Sequence, residues 1–350
     1  MNGHVTIYDV AREVGCAPST VSRAFSRPGR VSAATHAKVM DAAKRLGYRT
    51  QAPDMQERSS REQLRLGITA PDLTNPFFAE LLSGMQEAAH SSDYLPILLD
   101  SSEDQARERE ALERSLDVVD GIVLAGTRLP DATLLQIAKR VPLLVLNRRV
   151  AGLDSITPDY EYGMQQAMAH LAEQDIRVVT YVAGPETSWS DGERWRAARK
   201  SAAAHGIRAH RIGPFPPTSR GGETAFAQMW AGLDGQAGLR GAAGLPDAVI
   251  CYNDLQALGL LVSALRAGVR VPQEMAVVGH DDIPLARLVG NGLTTIATPK
   301  REQGRAAIER IVRRLKSPSS VKGPMVGSLP VRLVVRGSTR TMRMRPAQEA

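Results

Sequence analysis

The sequence predicts an α/β protein, with a small three-helix head followed by two lobes of doubly wound parallel sheet. Three observations predict it. Residues 6–46 carry apolar residues at helical spacing in three short segments. From Leu66 onward, short wholly apolar runs alternate with helical stretches, the rhythm of buried parallel strands and their crossover helices. Charge also divides by region. Residues 1–65 hold 11 Lys/Arg against 6 Asp/Glu, residues 66–299 hold 20 against 28, and residues 300–350 hold 13 against 3. A basic head on an acidic middle suits a protein of which only the head meets a polyanion.

Composition narrows the class further. Of the 350 residues 43% are hydrophobic and 23% charged, which excludes wholesale disorder. No apolar run reaches the roughly 18 residues of a membrane span. The opening MNGHVTIYDV lacks the basic-then-apolar run of a secretory signal, so a cytoplasmic location is expected. Cys16 and Cys251 are too few for a disulfide scaffold or a metal cage, which fits a reducing compartment.

In the head, Thr6 caps a helix over Ile7–Val14, whose Ile7, Val10, Ala11 and Val14 share one face, and Gly15 ends it. Pro18 suits the first turn of a second helix running to about Phe25, where its missing N–H costs nothing. Ser26-Arg27-Pro28-Gly29 breaks that helix. Ser32 caps a third helix to about Leu46 with Val39, Ala42, Ala43 and Leu46 inward, and Gly47 stops it. The boundaries read 1–48 for the head, 49–64 for a polar linker, 65–339 for the two-lobed core and 340–350 for a basic disordered tail.

In the core the predicted alternation runs Leu66–Ala70, 77–92, Leu95–Leu99, 104–116, Gly121–Ala125, 131–140 and Leu143–Leu146. A second set follows: Tyr160–Gln174, Val178–Val182, Glu193–His205, Ala248–Cys251, Leu255–Ala267 and Ala276–Gly279. So many elements exceed one sheet, and ligands of such folds sit beyond the carboxyl ends of strands, so a cleft between lobes is the expected site. From about Gly337 no core-forming pattern remains, and the arginines there are expected to be solvated.

The stretch TIYDVAREVGCAPSTVSRAF at 6–25 has helix-turn-helix spacing, in which the second helix offers its N-terminal side chains to base edges in the major groove. Arg23 is the side chain there able to grip guanine bidentately. An ordinary bundle with a solvated polar face has the same spacing, and the basic balance favours DNA.

The strings DVAREVG, STVSR, VSAAT and AAKRLGY resemble the headpiece of the lactose/galactose-repressor (LacI-type) family of bacterial transcription factors. The resemblance continues in the family's order through NPFFAEL at 75–81, NDLQALG at 253–259, VPQEMAVVGHDD at 271–282, LTTI at 293–296 and RGST at 336–339. It implies a periplasmic-binding-protein-like core and a repressor whose operator affinity a small molecule controls. It further implies DNA contacts from Tyr8, Ser19, Thr20, Ser22 and Arg23, with Ser32 and Thr35 holding the backbone. Two departures follow: Ala17 replaces the family's usual Ser at the start of the recognition helix, and Pro18 stands at the next position, often a base reader. In the family hinge, an apolar wedge enters the minor groove. Here those positions hold Asp54, Met55, Gln56 and Glu57, and Glu57 would repel phosphates, so either Met55 wedges in a shifted register or the protein binds DNA without the usual kink.

For the core, the resemblance places an effector in contact with Phe77, Phe78, Asn147, Arg148, Arg194, Asn253 and Asp281. A sugar, a sugar phosphate or a nucleoside fits these equally, and each residue also has a plain packing or capping role open to it. Arg194 and Asp281 are the strongest candidates, because a charged side chain in a cleft needs a partner. Pro217 occupies the place of an aromatic in the family, so the resemblance offers no stacking ring from that segment. A homodimer on a palindromic operator is expected, with no cofactor and a nucleoid-associated, cytoplasmic location. The rival readings are weaker. An enzyme lacks a motif, because His280-Asp281-Asp282 are consecutive and point different ways and no G-x-S-x-G or phosphate-cradling G-x-x-x-x-G-K occurs. A solute-binding module of the same core fold, without effector-linked regulation, would not need the head.

Overall fold

The computed structural model describes residues 5–26, 30–46, 48, 64–101, 103–232, 245–318 and 323–340. The expected linker positions Asp54, Met55, Gln56 and Glu57, and the tail beyond 340, lie outside the described residues. The chain divides into two units, residues 1–64 and 65–350.

The first unit is a three-helix bundle: α1 (Ile7–Val14), α2 (Pro18–Ser26) and α3 (Ala33–Leu46). Its core is Val10, Ala11, Val21, Ala24, Val39, Ala42 and Ala43. The Asp9 carboxylate accepts from the Thr6 amide at 2.8 Å and hydroxyl at 2.6 Å, which fixes the start of α1. Gly15 at φ +73 makes the left-handed exit.

The second unit holds two six-stranded sheets. In the first lobe β1 (Leu64–Ala70), β2 (Tyr94–Asp100), β3 (Gly121–Ala125), β4 (Leu143–Leu146) and β5 (Asp154–Pro158) alternate with α4 (Pro76–His90), α5 (Gln105–Ser115) and α6 (Asp131–Ala138). In the second, α7 (Tyr160–Ala172), β6 (Val178–Val182), α8 (Trp189–Ala204), β7 (Arg208–Ile212), α9 (Ser219–Ala231), β8 (Ala248–Cys251), α10 (Asp254–Arg266), β9 (Ala276–Asp281) and β10 (Thr294–Ala297) follow. The chain then returns to the first lobe with α11 (Lys300–Lys316) and β11 (Val326–Leu329), and ends in the second with β12 (Arg332–Val334). The strand orders are β11-β5-β4-β3-β1-β2 and β12-β10-β9-β8-β6-β7. Among the described pairs, β12 runs antiparallel to β10 and the others are parallel.

Strands β3, β4, β8 and β9 are buried along their whole length, because helices cover both faces. Each buried Leu, Ile or Val contributes about 1.5–3 kcal/mol. The first lobe is closed by Asp154, whose carboxylate accepts two hydrogen bonds from Arg310 (3.1 and 3.0 Å), two from Arg314 (2.9 and 3.1 Å) and one from the Met325 amide (2.6 Å). Burial would raise this carboxyl's pKa, but the two guanidiniums outweigh burial and hold it low.

The structure corrects several boundaries. The helix expected from Glu193 begins at Trp189, capped by Ser188. A helix not expected from the sequence, α11, lies in the basic C-terminal region and buries Ala307, Ile308, Ile311 and Val312. The segment from Gly337 docks on the second lobe, with Ser338 donating to the Val277 carbonyl at 2.6 Å and Thr339 bonded to Thr294 at 2.8 Å. Arg340, placed in a disordered tail by the sequence, is tied through its amide to Gln174 at 2.9 Å.

Helices α4 and α11 approach backbone to backbone at two glycines. A Cβ on Gly84 would fall 2.2 Å from the Arg301 carbonyl, and one on Gly304 2.2 Å from that of Leu81. Gly84→Ala is therefore expected to cost about 1–3 kcal/mol in urea denaturation, since two helix backbones must part. Gly192→Ala, at a helical site with nothing within 4 Å, should be neutral or stabilise by up to about 1 kcal/mol. Equal effects at the two sites would contradict the close approach.

Candidate functional site

Two sets of side chains form candidate sites, one in each unit. In the helical unit, α2 exposes Ser19, Ser22 and Arg23, with Thr20 half-buried and Pro18 at its first position. Tyr8 on α1 is 65% exposed, unusual for so large a ring. Ser32 and Thr35 bond one another, and the Ser32 hydroxyl accepts the Thr35 amide at 3.1 Å, so Ser32 also caps α3. Met55 lies outside the described residues.

The core carries a cleft lined from both lobes. Residues that follow strand ends build it: Asp72 after β1, Arg128 after β3, Asn147 and Arg148 after β4, Tyr252 and Asn253 after β8, and Asp281 closing β9. All seven residues proposed from sequence for the core line it: Phe77, Phe78, Asn147, Arg148, Arg194, Asn253 and Asp281.

Its chemistry centres on Arg194, projecting from the second turn of α8. The guanidinium is buried, donates to the Tyr252 carbonyl, and lies 3.7 Å from the Asp281 carboxylate. It also sits over the rings of Tyr252 (4.7 Å) and Tyr160 (5.1 Å). Burial opposes its charge, but Asp281 and the surrounding tyrosines outweigh burial, so its pKa is raised. Its Nε–H has no protein partner.

Asp281 is held there by unusual backbone. It and Asp282 have φ of +113 and +53, in the left-handed region that costs a side-chain-bearing residue about 1–3 kcal/mol. Lys300, buried at the start of α11, donates to both of their carbonyls at 2.6 and 3.0 Å and lies 3.8 Å from Glu80 of the first lobe. Arg336 donates to the Asp282 carboxylate at 2.5 Å. His280 is bonded through Nδ1 to Asp281 at 2.9 Å. A carboxylate only accepts, so the neutral ring donates from Nδ1, leaving Nε2 an unpartnered acceptor. Burial, then the Arg194 charge, pushes the His280 pKa down to about 4. Asp254, which accepts from Thr295 at 2.6 Å and the Ile283 amide at 2.8 Å, is pushed up to about 8 by burial and then by Asp281.

The other sequence candidates divide by what they already touch. Phe77 and Phe78 meet edge to face at 5.0 Å and are buried, so packing occupies much of both rings. Asn147, at φ +60, accepts from Gln303 at 3.0 Å, and Asn253 caps α10 while donating to the Pro217 carbonyl at 2.8 Å. Arg148 donates to Asp131 and to the Leu129 carbonyl, with its Nε free of any protein partner.

Several lining residues were not found by sequence reasoning. Arg128 pairs with Glu103 at 2.9 and 3.1 Å, and Trp189 and Tyr252 bring aromatic rings from the second lobe, where none was expected at Pro217. Trp189 was missed because its helix was started four residues late. Among the described residues no group of three His, Cys, Asp or Glu side chains is placed to hold a metal, and no helix is long and apolar enough to cross a membrane.

Comparison with known proteins gives the same two parts. The model for bacterial regulatory proteins of the lacI family matches residues 6–51, and that for the periplasmic-binding-protein-like domain matches residues 168–339. The HTH-type transcriptional repressor CytR of Escherichia coli (strain K12) is 29% identical over 350 residues, covering 96% of this chain and 97% of its own. Catabolite control protein A of Staphylococcus aureus (strain Mu50 / ATCC 700699) is 28% identical over 345 residues, covering 96% and 99%. Among solved structures, the lac repressor dimer bound to operator and the anti-inducer ONPF superimposes with a TM-score of 0.69 at 25% identity, over 97% of this chain and all of that one.

Burial of His280 predicts a pH dependence of stability. Its pKa is lower folded than unfolded, so the unfolded chain takes the proton first, and the native state loses stability as pH falls from about 6.5 toward 4. Asp254 acts oppositely: its raised pKa means stability is lost as pH rises toward about 8. Comparing His280→Gln with the wild type isolates the histidine. Between pH 7 and pH 5 the wild type should lose about 2 kcal/mol more than the variant in urea denaturation. Parallel pH profiles would contradict the burial of a neutral ring.

Proposed function

We propose, on the premise that this chain belongs to the lacI family of bacterial regulatory proteins, that it is a sequence-specific transcriptional repressor. Its operator affinity would be set by a small molecule in the core cleft. The observation that carries the reading is the joining, in one chain, of a helix-turn-helix with Ser19, Ser22 and Arg23 exposed to a core whose buried Arg194 and Asp281 line a cleft at the strand ends. Neither part alone makes a regulator: a solute-binding module has no use for the head, and a plain DNA-binding bundle has no use for the cleft. The lengthwise match to CytR and to the operator-bound lac repressor supports this joining.

In this reading α2 enters the major groove, with Arg23 on a guanine and Tyr8, Ser19, Thr20 and Ser22 dividing bases and phosphates among them. Ser32 and Thr35 hold the backbone, and Met55 supplies the hinge its apolar contact with DNA. One head reads only a half-site, so the working form is a homodimer on a palindrome, in the cytoplasm at the nucleoid. In the cleft, Phe77, Phe78, Asn147, Arg148, Arg194, Asn253 and Asp281 contact a sugar, a sugar phosphate or a nucleoside. Binding biases the rotation of one lobe on the other, and the effect on DNA must be reciprocal.

Selection of bound sequences from a random duplex pool by the full chain, at a stated salt concentration, tests the reading. A palindrome of about 14–20 base pairs is expected. Arg23→Ala should then cost about 1–3 kcal/mol and relax preference at one position of each half-site. Binding that tracks ionic strength and enriches no sequence would contradict it.

A further inference from the structure

We propose that Arg128 of the first lobe and Tyr252 of the second form a latch that holds the lobes shut over the cleft, so that any molecule entering it must first part this pair. The latch is a property of the core alone and stands or falls apart from the DNA-binding reading above. The cleft is lined from both lobes, yet its free volume is only about 40 Å³. That is room for a few waters, against the ~150 Å³ that encloses one benzene in a protein interior. Side chains that would line a wider cleft have met across it.

Each half of the pair is fixed by its own lobe. Arg128 follows β3. Its amide donates to the Glu108 carboxylate at 3.1 Å, its carbonyl accepts from the Gln105 side chain at 2.9 Å, and its guanidinium donates to Glu103 at 3.1 and 2.9 Å. Gln105 and Glu108 lie on α5 and Glu103 just before it, so every anchor is in the first lobe. Tyr252 follows β8 and is seated in the second lobe. Its ring packs on the backbone of Gly184, where a Cβ would fall 2.5 Å from the ring, and the Arg194 guanidinium stands 4.7 Å from its centroid. Its hydroxyl is bonded to those of Ser188 and Ser190 at 3.1 and 3.3 Å.

The two halves meet where the Arg128 guanidinium hydrogen-bonds the Tyr252 hydroxyl. A phenol oxygen accepts from a guanidinium while its own hydrogen goes to a serine, so the pair joins Glu103 and Arg128 to Tyr252 and Ser188 in one run of hydrogen bonds. Burial would lower the Arg128 pKa, but Tyr252 and Glu103 outweigh it, so the contact is made by a charged donor. The Arg128 side chain is 8% exposed, which leaves little water to compete for it. Because both side chains are already ordered by their own lobes, meeting costs them little further entropy. Rotation of one lobe on the other breaks this bond and leaves both sets of anchors intact, which is what lets the contact act as a two-state catch.

Hydrogen exchange of the full chain, read by mass spectrometry with neither ligand nor DNA, tests the latch. Tyr252→Phe removes one oxygen and keeps the ring on Gly184 and Arg194. Amides of residues 126–129, on the opposite wall, should then exchange about tenfold faster or more, as loss of one charge-assisted hydrogen bond implies. Arg128→Met combined with Glu103→Gln, which leaves no carboxylate stranded at Glu103, should speed residues 188–191 and 252–254 by a similar factor. All three substitutions together should be no faster than either set alone, since both sets break one contact. Faster exchange confined to the substituted lobe would show that each side chain serves only its own lobe, and overturns the proposal. Unchanged exchange in both variants, or effects that multiply in the combination, overturns it as well. These rates carry no information on operator selection, so a failure of the regulator reading leaves them as predicted.

Discussion

Arg194 is a cation with almost no access to water, and the surrounding structure follows from the need to satisfy it. Its charge requires Asp281 as a counterion, and Asp281 comes within reach only because β9 ends in a pair of non-glycine residues at positive φ. That corner is costly, so it must be held from outside, and Lys300 and Arg336 hold it. Lys300 opens the helix that carries the chain back into the first lobe and lies near Glu80 there. The cation that defines the cleft in the second lobe is thus connected, through a strained corner and one lysine, to the element that crosses between lobes. Any ligand that changes how Arg194 and Asp281 share their charge acts on that connection.

The crossings themselves make the cleft usable as a switch. The chain passes between lobes before α7, before α11 and before β12, and otherwise each lobe packs around its own sheet. Lobes so joined can rotate without disturbing the buried strands, whose burial supplies most of the stability. The engaged side chains divide the cleft into a scaffold and a reading surface. Asn147 and Asn253 spend their amides on the protein, while Arg148 and Arg194 each retain an Nε–H.

Much of this was legible in the sequence, and the failures have common causes. The head's apolar spacing placed all three helices within a residue or so, because short amphipathic helices with Thr6, Gly15, Pro18 and Ser32 at their ends announce both face and limits. The all-apolar strands of the core were equally plain. Strand β5, written Asp-Ser-Ile-Thr-Pro, was missed because its polar residues break the apolar pattern, and the arginine clamp that satisfies buried Asp154 is tertiary, which no local pattern reveals. The strongly charged Lys300–Lys316 hid a helix, although Ala307, Ile308, Ile311 and Val312 do trace a narrow stripe. The seven core candidates drawn from the resemblance all reached the cleft, whereas Arg128, Trp189 and Tyr252 were overlooked. Their positions depend on where strand ends converge, and that is set by topology.

The central claim is that the cleft and the DNA-binding head are energetically coupled. It is tested most directly by reciprocal titration. The affinity of the full chain for its selected operator is measured by anisotropy with and without saturating cleft ligand, and the ligand's affinity by calorimetry with and without operator. The account predicts that both affinities change, and by the same factor, as linkage requires. A ligand that binds the cleft with one affinity whether or not operator is present would contradict it.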